Sequence, residues 1–179
     1  MSEVSSGTRK LLALSMLKGV GPATLRKIAC MPDFVQVQAH ELALRIPSIS
    51  KALDNVGDWE RAIEDSEFQL EEAKRFNSMV ISPLDSGYPL SLAATKDDPF
   101  LLYVKGSLPD SSKNSVAIIG TREPTSYGII IAQRITNFFA EQNWSVVSGL
   151  SIGCDAIAHQ AALDAQGHTI AVLAHGLHM

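Results

Sequence analysis

The second half of the chain alternates three short apolar segments with two longer segments of helical character. The apolar segments, residues 116–119, 145–148 and 169–173, predict buried strands, and residues 126–142 and 153–165 predict the helices between them. Strands joined by single crossover helices are typical of βαβ units, in which neighbouring strands lie parallel. This alternation restricts the segment to an α/β fold, a Rossmann-like parallel sheet with flanking helices.

The first half of the chain has a helical pattern throughout. Apolar residues recur at helical spacing in residues 8–18, 22–30, 34–46 and 58–77. A short strand at residues 79–81 and a turn containing proline and glycine follow. We therefore expect a small all-helical domain over residues 1–80 and a Rossmann-like domain over residues 81–179. Because the chain stops just after the third strand of the sheet, we expect the Rossmann-like domain to be incomplete.

Composition excludes several classes of protein. Apolar residues make up 46% of the 179 positions and charged residues 19%, which excludes wholesale disorder. The first residues lack the apolar core of a secretory signal, and the longest uncharged run, residues 165–179, is too short and polar for a membrane span. Cys30 and Cys154 provide neither a disulfide framework nor a paired-cysteine metal motif. We expect a soluble, cytoplasmic protein without a metal or cofactor.

The net charge of −4 is spread evenly along the chain. Residues 1–85 carry 10 Lys and Arg against 12 Asp and Glu, and residues 86–179 carry 5 against 7. Without a basic arm, the chain cannot coat nucleic acid by bulk charge. Anion binding has to come from a few placed groups, such as backbone N–H donors, helix N-termini and single arginines.

Gly19 and Gly21 flank a valine between the first two helices predicted. Two glycines at this spacing allow a tight hairpin whose N–H groups can hold a phosphate at the start of the next helix. Lys18, Arg26 and Lys27 lie nearby in sequence. The pattern fits a helix-hairpin-helix contact with a nucleic-acid backbone, and it fits equally a plain glycine turn between two packed helices.

Gly120, Thr121 and Arg122 follow the first strand of the predicted sheet and precede a helix. Glycine lets the backbone turn close to a ligand, threonine offers a hydroxyl, and a guanidinium suits bidentate contact with phosphate. The segment therefore predicts a phosphate-binding loop. The alternative is that Arg122 pairs with Glu123 or Asp155.

A second glycine loop, containing Ser148, Gly149, Ser151 and Gly153, follows the next strand. Its main-chain donors and two hydroxyls can surround an anion. Because parallel strands share one polarity, this loop and the loop of Arg122 project from the same edge of the sheet. Together the two loops predict a phosphate cradle.

Asp155 and His159 lie four residues apart in the helix after the second loop, so they can face each other. Such a pair fits a general base or a metal fragment, and more commonly a hydrogen-bonded pair that fixes a loop, so we assign both a supporting role. No catalytic residue is predicted, and the chain has no Walker A loop for phosphoryl transfer. His168, His175 and His178 lack the partners that a zinc site needs.

Motifs in a fixed order between residues 88 and 177 resemble the DNA-processing protein A (DprA/Smf) family. They run from the Tyr88-Pro89 pair through VAIIGTREPTSYG and VVSGLSIGCDAIAHQAAL to GHTIAVLAHGL. The helical first half is similar to the small domain that precedes the Rossmann-like domain in that family. The resemblance implies a single-stranded DNA-binding protein of natural transformation and recombination. Such a protein protects incoming strands and helps to load a RecA-type recombinase, without catalysing a reaction.

The resemblance also assigns roles to individual positions. The G-S/T-R motif of the family falls on residues 120–122, which makes Arg122 the DNA-phosphate contact. The SGLAxGID segment of the family falls on residues 148–155, where Ser151 replaces the usual alanine and Cys154 the usual isoleucine. In the family, the chain beyond the position of residue 179 carries further basic DNA contacts and the surface for a homodimer.

Two other classes of function fit the sequence. A nucleotide-binding sensor or nucleoside-phosphate hydrolase with a related Rossmann-like fold would use the same cradle for a free nucleotide. A partner-docking fragment would use the uncovered flank of its incomplete sheet to bind another chain.

Overall fold

A computed structural model describes residues 4–109 and 112–176 of the chain. By its internal contacts the chain divides into two compact units, Met1–Ser107 and Leu108–Met179. None of the helices in the described part of the chain combines the length and the apolar character that a membrane span needs.

The first unit contains helices and a two-stranded antiparallel sheet. Its helices are α1 (Ser6–Met16), α2 (Pro22–Ala29), α3 (Ala39–Arg45), α4 (Pro47–Ala52), α5 (Asp58–Arg75) and α6 (Leu90–Ala93), and its strands are β1 (Ser78–Ile81) and β2 (Leu102–Lys105). The apolar faces of the helices form one core, in which Leu11, Leu14, Ile28, Leu42 and Ile49 are completely buried. Burial of such side chains stabilises a fold by roughly 25 cal/mol for each Å² of apolar surface that is removed from water, and this free energy supports the short helices.

The third helix is shorter than the prediction of residues 34–46. Residues 34–37 form turns, with Gln36 and Val37 donating their N–H groups to the Asp33 carbonyl. Phe34 and Val37 are buried at helical spacing, so the sequence pattern reports burial at these positions and not the backbone conformation. Pro47 ends α3, as predicted, and also opens α4 at its first position, where the missing N–H is tolerated.

The first unit extends to Ser107, whereas the predicted helical domain ends at residue 80. The difference arises because β1 pairs antiparallel with β2, with Val80 opposite Tyr103 and Ile81 opposite Leu102. The second strand of this pair lies beyond the predicted boundary, and it attaches the intervening chain to the first unit.

The beginning of α1 is held by a carboxylate from a distant part of the sequence. Ser5, the N-cap of α1, and Thr8 donate hydroxyl hydrogen bonds to Asp85 at 2.6 and 2.5 Å, and the Ser82 N–H donates at 2.8 Å. Burial raises the pKa of the Asp85 carboxyl, but the bonds from Ser5, Thr8 and Ser82 outweigh it and leave the pKa below its usual value. The network joins α1 to the turn after β1.

The second unit is the α/β fold predicted from the strand and helix alternation. It contains β3 (Ser115–Ala117), α7 (Ser126–Glu141), β4 (Ser145–Ser148), α8 (Cys154–Asp164) and β5 (Thr169–Ala171). The strands form a parallel sheet in the order β3-β4-β5, with Val116 opposite Val146 and Val146 opposite Thr169. Helices α7 and α8 pack against each other and against β4. Val146, Ala158 and Ala162 form the buried centre of this unit.

Candidate functional site

Two loops meet at the carboxyl edge of the parallel sheet, as the shared polarity of the strands predicts. The first loop, residues 118–125, joins β3 to α7, and the second loop, residues 149–153, joins β4 to α8. The Cys154 N–H donates to the Thr121 carbonyl at 3.1 Å, and the Ser148 hydroxyl donates to the Ile118 carbonyl at 2.6 Å. These bonds fix the first loop to the second loop and to the end of β4.

Glycine is required where the loops touch. Gly153 has a φ of +87°, and a Cβ at this position would lie 2.3 Å from the Thr121 carbonyl oxygen and 2.5 Å from that of Arg122. A Cβ on Gly120 would lie 2.6 Å from the Cys154 sulfur. Gly120 and Gly153 were both predicted in loops that bind an anion. In the structure the close approach at these glycines is within the protein, between the first loop and the segment of residues 153–154.

The first loop presents Arg122 to solvent. The side chain is exposed and, among the described residues, forms no ion pair with a carboxylate, so the alternative pairing with Glu123 or Asp155 is not formed. The Thr121 hydroxyl oxygen accepts a bond from the Glu123 N–H at 3.2 Å, which shapes the loop. Thr125 caps α7 by accepting from the Gly128 N–H. Arg122 therefore lies close to the positive end of α7, where an anion is favoured.

The second loop differs from the predicted anion cradle because a carboxylate of the protein itself already accepts from one of its main-chain N–H groups. Asp155 is buried, and one carboxylate oxygen accepts from the Ser151 N–H at 3.3 Å. A Cβ on Gly149 would lie 3.1 Å from the same oxygen. Ser148 is also buried, and its hydroxyl donates to the Ile118 carbonyl. The loop thus surrounds an internal carboxylate, and a second negative charge would be repelled there.

His159 does not pair directly with Asp155. Its Nδ1 lies 2.7 Å from the Thr169 hydroxyl, which itself donates to the Val146 carbonyl at 3.0 Å. Since the threonine proton is used on that carbonyl, Nδ1 is the donor to Thr169, and Nε2 is a bare acceptor. Nε2 is buried without a partner. The sequence favoured a hydrogen-bonded Asp155–His159 pair that fixes a loop; in the structure Asp155 accepts from Ser151 of the second loop, and His159 instead bonds to Thr169 of β5.

The protonation of His159 makes the stability of the second unit depend on pH. Burial lowers the pKa of its imidazole from the ordinary value of 6.5, and the nearby Asp155 carboxylate offsets part of that effect. Between the two pKa values the unfolded chain binds more protons than the folded chain, so acidification below pH 6.5 destabilises the fold. We expect the free energy of unfolding to fall by at most about 1.4 kcal/mol per pH unit in that window. Urea titrations at a series of pH values measure it.

His159→Gln is the variant that tests this prediction, and His40→Gln is its matched control. His40 is exposed on α3 in the first unit, so its replacement shows the effect of removing a surface histidine, whereas His159→Gln should flatten the pH dependence. If the free energy of unfolding varied with pH in the same way for His159→Gln and the unmodified chain, His159 would not be the group responsible.

The glycine hairpin lies between α1 and α2 in the first unit. Gly19 has a φ of +83°, Gly21 is the N-cap of α2, and the open space around both would accept a Cβ. Arg26 is unavailable to a ligand, because its Nε donates to the Asp98 carboxylate at 2.6 Å and its Nη2 to the Asp98 carbonyl at 2.7 Å. Lys18 remains exposed beside the hairpin.

The remaining histidines have partners other than a metal. His168 Nδ1 contacts the Ser145 hydroxyl at 3.0 Å, His175 Nδ1 contacts the Gly176 carbonyl, and His178 lies outside the described residues. In residues 4–109 and 112–176, no group of three or more His, Cys, Asp and Glu side chains is placed to hold a metal ion.

Sequence reasoning missed two apolar side chains beside the first loop. Leu150 has a φ of +60°, which is rare for a non-glycine residue, and its side chain is 54% exposed. Ile152 is 71% exposed. The signal in the sequence was an apolar residue on each side of Ser151 within a glycine loop, where polar residues are usual.

Comparison with known proteins places the chain in a family. The model of the DNA recombination-mediator protein A family matches residues 79–179. Protein Smf of Synechocystis is 30% identical over 174 residues, which cover 93% of this chain and 44% of that protein. The DNA processing protein DprA of Bacillus subtilis is 39% identical over 90 residues, covering 50% of this chain and 30% of its own. The chain thus spans less than half the length of these curated relatives.

A solved structure agrees with the sequence matches. The X-ray structure of DNA processing protein A from Streptococcus pneumoniae superimposes with a TM-score of 0.66 at 25% identity, covering 99% of this chain and 60% of that one. The resemblance noted in the motifs and the predicted α/β architecture are both confirmed. The chain is a member of the DNA recombination-mediator protein A family, to which the DprA and Smf proteins belong.

Proposed function

We propose that this chain binds single-stranded DNA in natural transformation and recombination, in the cytoplasm, and that it assists the loading of a RecA-type recombinase. The observation that carries the proposal is Arg122, an exposed cation that pairs with no carboxylate of the described residues and lies on a loop fixed by main-chain and hydroxyl bonds. The fixed loop holds the backbone of Arg122 at the sheet edge, and its guanidinium keeps its donors available for bidentate contact with a phosphate. Gly120 and Thr121 shape the loop around it.

The surroundings of Arg122 favour a strand with unpaired bases. Tyr127 is 72% exposed at the start of α7, while Leu150 and Ile152 are exposed on the second loop. Proteins that bind single strands combine cations for the phosphates with aromatic and apolar surfaces for the bases. Duplex DNA presents its bases only at groove edges and would leave these side chains without a partner.

The interior of the second unit supports binding without catalysis. The carboxylate of Asp155 and the imidazole of His159 are the groups best suited to acid–base chemistry near the loops. Both are buried, and they bond to Ser151 and Thr169. In the proposed function Ser148 and Gly153 position the first loop and Arg122 makes the phosphate contact, while Gly149 and Ser151 border the Asp155 carboxylate.

The names of the relatives agree with this proposal at a coarser level. Relatives in Bacillus subtilis and Streptococcus pneumoniae are named DNA processing proteins, and the matching family is named for recombination mediation. Single-strand binding and recombinase loading by this chain, and a homodimer in a longer form of it, are the finer part of the proposal.

Replacing Arg122 with alanine tests the proposal. We expect weaker binding of labelled oligothymidine at low salt, and a plot of log K against log salt that is shallower by about 0.7, the value for one phosphate contact with a single strand. Fluorescence anisotropy at several salt concentrations measures both quantities.

Arg134→Ala is the matched control, because Arg134 is exposed on α7 outside the first loop. An unchanged affinity and slope in Arg122→Ala would refute the assignment of Arg122. Calorimetry with mononucleotides addresses the nucleotide-sensor alternative: a mononucleotide that binds as tightly as the oligothymidine would favour that class of function.

A further inference from the structure

A pocket of about 360 Å³ opens beside the glycine hairpin in the first unit. Its cationic side chains come from separate places in the fold: Lys18 follows α1, Lys51 lies in the last turn of α4, and Arg61 lies in the first turn of α5. Leu17, Ala52 and Ala62 contribute apolar lining, and Met16, Asn55, Asp58 and Asp65 complete the wall.

The charges that line the pocket are unequal in their availability. The Asp58 carboxylate accepts from the Asn55 main-chain N–H at 2.9 Å and from its side-chain amide at 3.3 Å, and it lies 3.6 Å from an Arg61 nitrogen. This carboxylate is therefore committed to the start of α5. Lys18 and Lys51 are exposed and, within the described residues, pair with no carboxylate.

We propose that this pocket binds a phosphodiester of a nucleic-acid strand through Lys18 and Lys51, with Arg61 as a third donor. The identity of the ligand as a strand rests on the proposed function. A phosphodiester is compact and carries several acceptor oxygens, so it can be reached at once by donors from three elements. The exposed Asp65 carboxylate reduces the attraction but leaves the cations in excess.

The pocket gives the glycine hairpin a role different from the one predicted. Gly19 and Gly21 were expected to bind phosphate with their own N–H groups. The structure instead has Lys18 and Gly19 in a turn that follows α1 and is closed by the Val20 N–H bond to the Leu17 carbonyl at 3.1 Å, and this turn leaves the lysine on the pocket wall. The hairpin positions a cation in this arrangement.

The test uses the full chain with the double variant Lys18→Gln, Lys51→Gln and labelled dodecathymidylate. Two lost phosphate contacts should make the salt dependence shallower by about 1.4 in log K against log salt and weaken binding at low salt roughly tenfold. The matched control is Lys27→Gln, Lys96→Gln, which removes two exposed cations that do not line the pocket. Its slope should stay that of the unmodified chain. Circular dichroism confirms that each variant is folded.

Comparison with Arg122→Ala separates this proposal from the proposed function. If Arg122→Ala weakens binding and the Lys18, Lys51 variant matches the Lys27, Lys96 control, the pocket proposal is overturned and the proposed function stands. If only the Lys18, Lys51 variant weakens binding, the pocket stands and the assignment of Arg122 fails. Inorganic phosphate that binds as tightly as the oligonucleotide, measured by calorimetry, would overturn the assignment of the pocket to a strand.

Discussion

Replacing Gly153 with alanine should destabilise the second unit by about 3 kcal/mol or more and remove DNA binding with it. The backbone there has a φ of +87° and a ψ of −130°, a combination that side chains other than glycine rarely adopt. The new Cβ would also lie 2.3 Å from the Thr121 carbonyl oxygen, so the first loop would have to move. Urea unfolding followed by the fluorescence of Trp144, which lies in this unit, measures the loss.

Gly128→Ala provides a control of opposite sign in the same unit. Gly128 lies in the first turn of α7, and the nearest atoms to an added Cβ are at ordinary contact distances of 3.4 and 3.5 Å. Alanine should stabilise the helix there by up to about 1 kcal/mol. Equal unfolding midpoints for Gly153→Ala and the unmodified chain would show that the loops do not depend on the glycine.

The second large effect is expected from Arg26→Met in the first unit. Asp98 is only 5% exposed, and Arg26 bonds both its carboxylate and its carbonyl. Methionine would leave a buried carboxylate without its counter-charge, at a cost of about 3 kcal/mol. Tyr88, which is buried nearby, has its pKa raised by burial and by the charge of Asp98, so it stays a neutral phenol and supplies no counter-charge. Unfolding monitored by the fluorescence of Trp59 reports on this unit.

Arg45→Met is the matched control for Arg26→Met. The Arg45 pair with Asp33 is exposed on both sides, at 46% and 51% of the side-chain surface, so its loss should cost within about 0.5 kcal/mol. A similar cost for the two variants would contradict the difference in burial. Adding Asp98→Asn to Arg26→Met should recover part of the stability, because the uncompensated charge is then gone.

The parallel arrangement of the three strands and the meeting of the two loops could be predicted from sequence because they follow from local periodicity and from the polarity shared by parallel strands. The conformation of residues 34–37 could not, since turns can bury Phe34 and Val37 at the same spacing as a helix. The pairing of β1 with β2 depends on residues more than twenty positions apart, which periodicity does not report. For that reason the predicted boundary at residue 80 comes before the end of the compact first unit at Ser107.

The site shows a similar division. Arg122 in an exposed loop at the carboxyl edge agrees with the sequence, although its contact with DNA stays a prediction. The occupation of the second loop by Asp155 could not be foreseen, because a short carboxylate can face solvent or turn back onto its own helix N-terminus. Arg26 lies near the glycine hairpin in sequence, yet its partner Asp98 is 72 positions away. Proximity in sequence therefore overstated the positive charge around the hairpin.

The hydrogen bonds that Ser5 and Thr8 donate to Asp85 also determine when the start of α1 can be completed during synthesis of the chain. Helix α1 packs against α5, and its first turn is completed only when Asp85 is present. At about 5 to 20 residues per second, the ribosome needs roughly 4 to 16 seconds to reach that residue. Throughout this interval the Ser5 and Thr8 hydroxyls lack their acceptor, so the first turn of α1 depends on its own bonds, such as the one from the Thr8 N–H to the Ser5 hydroxyl oxygen.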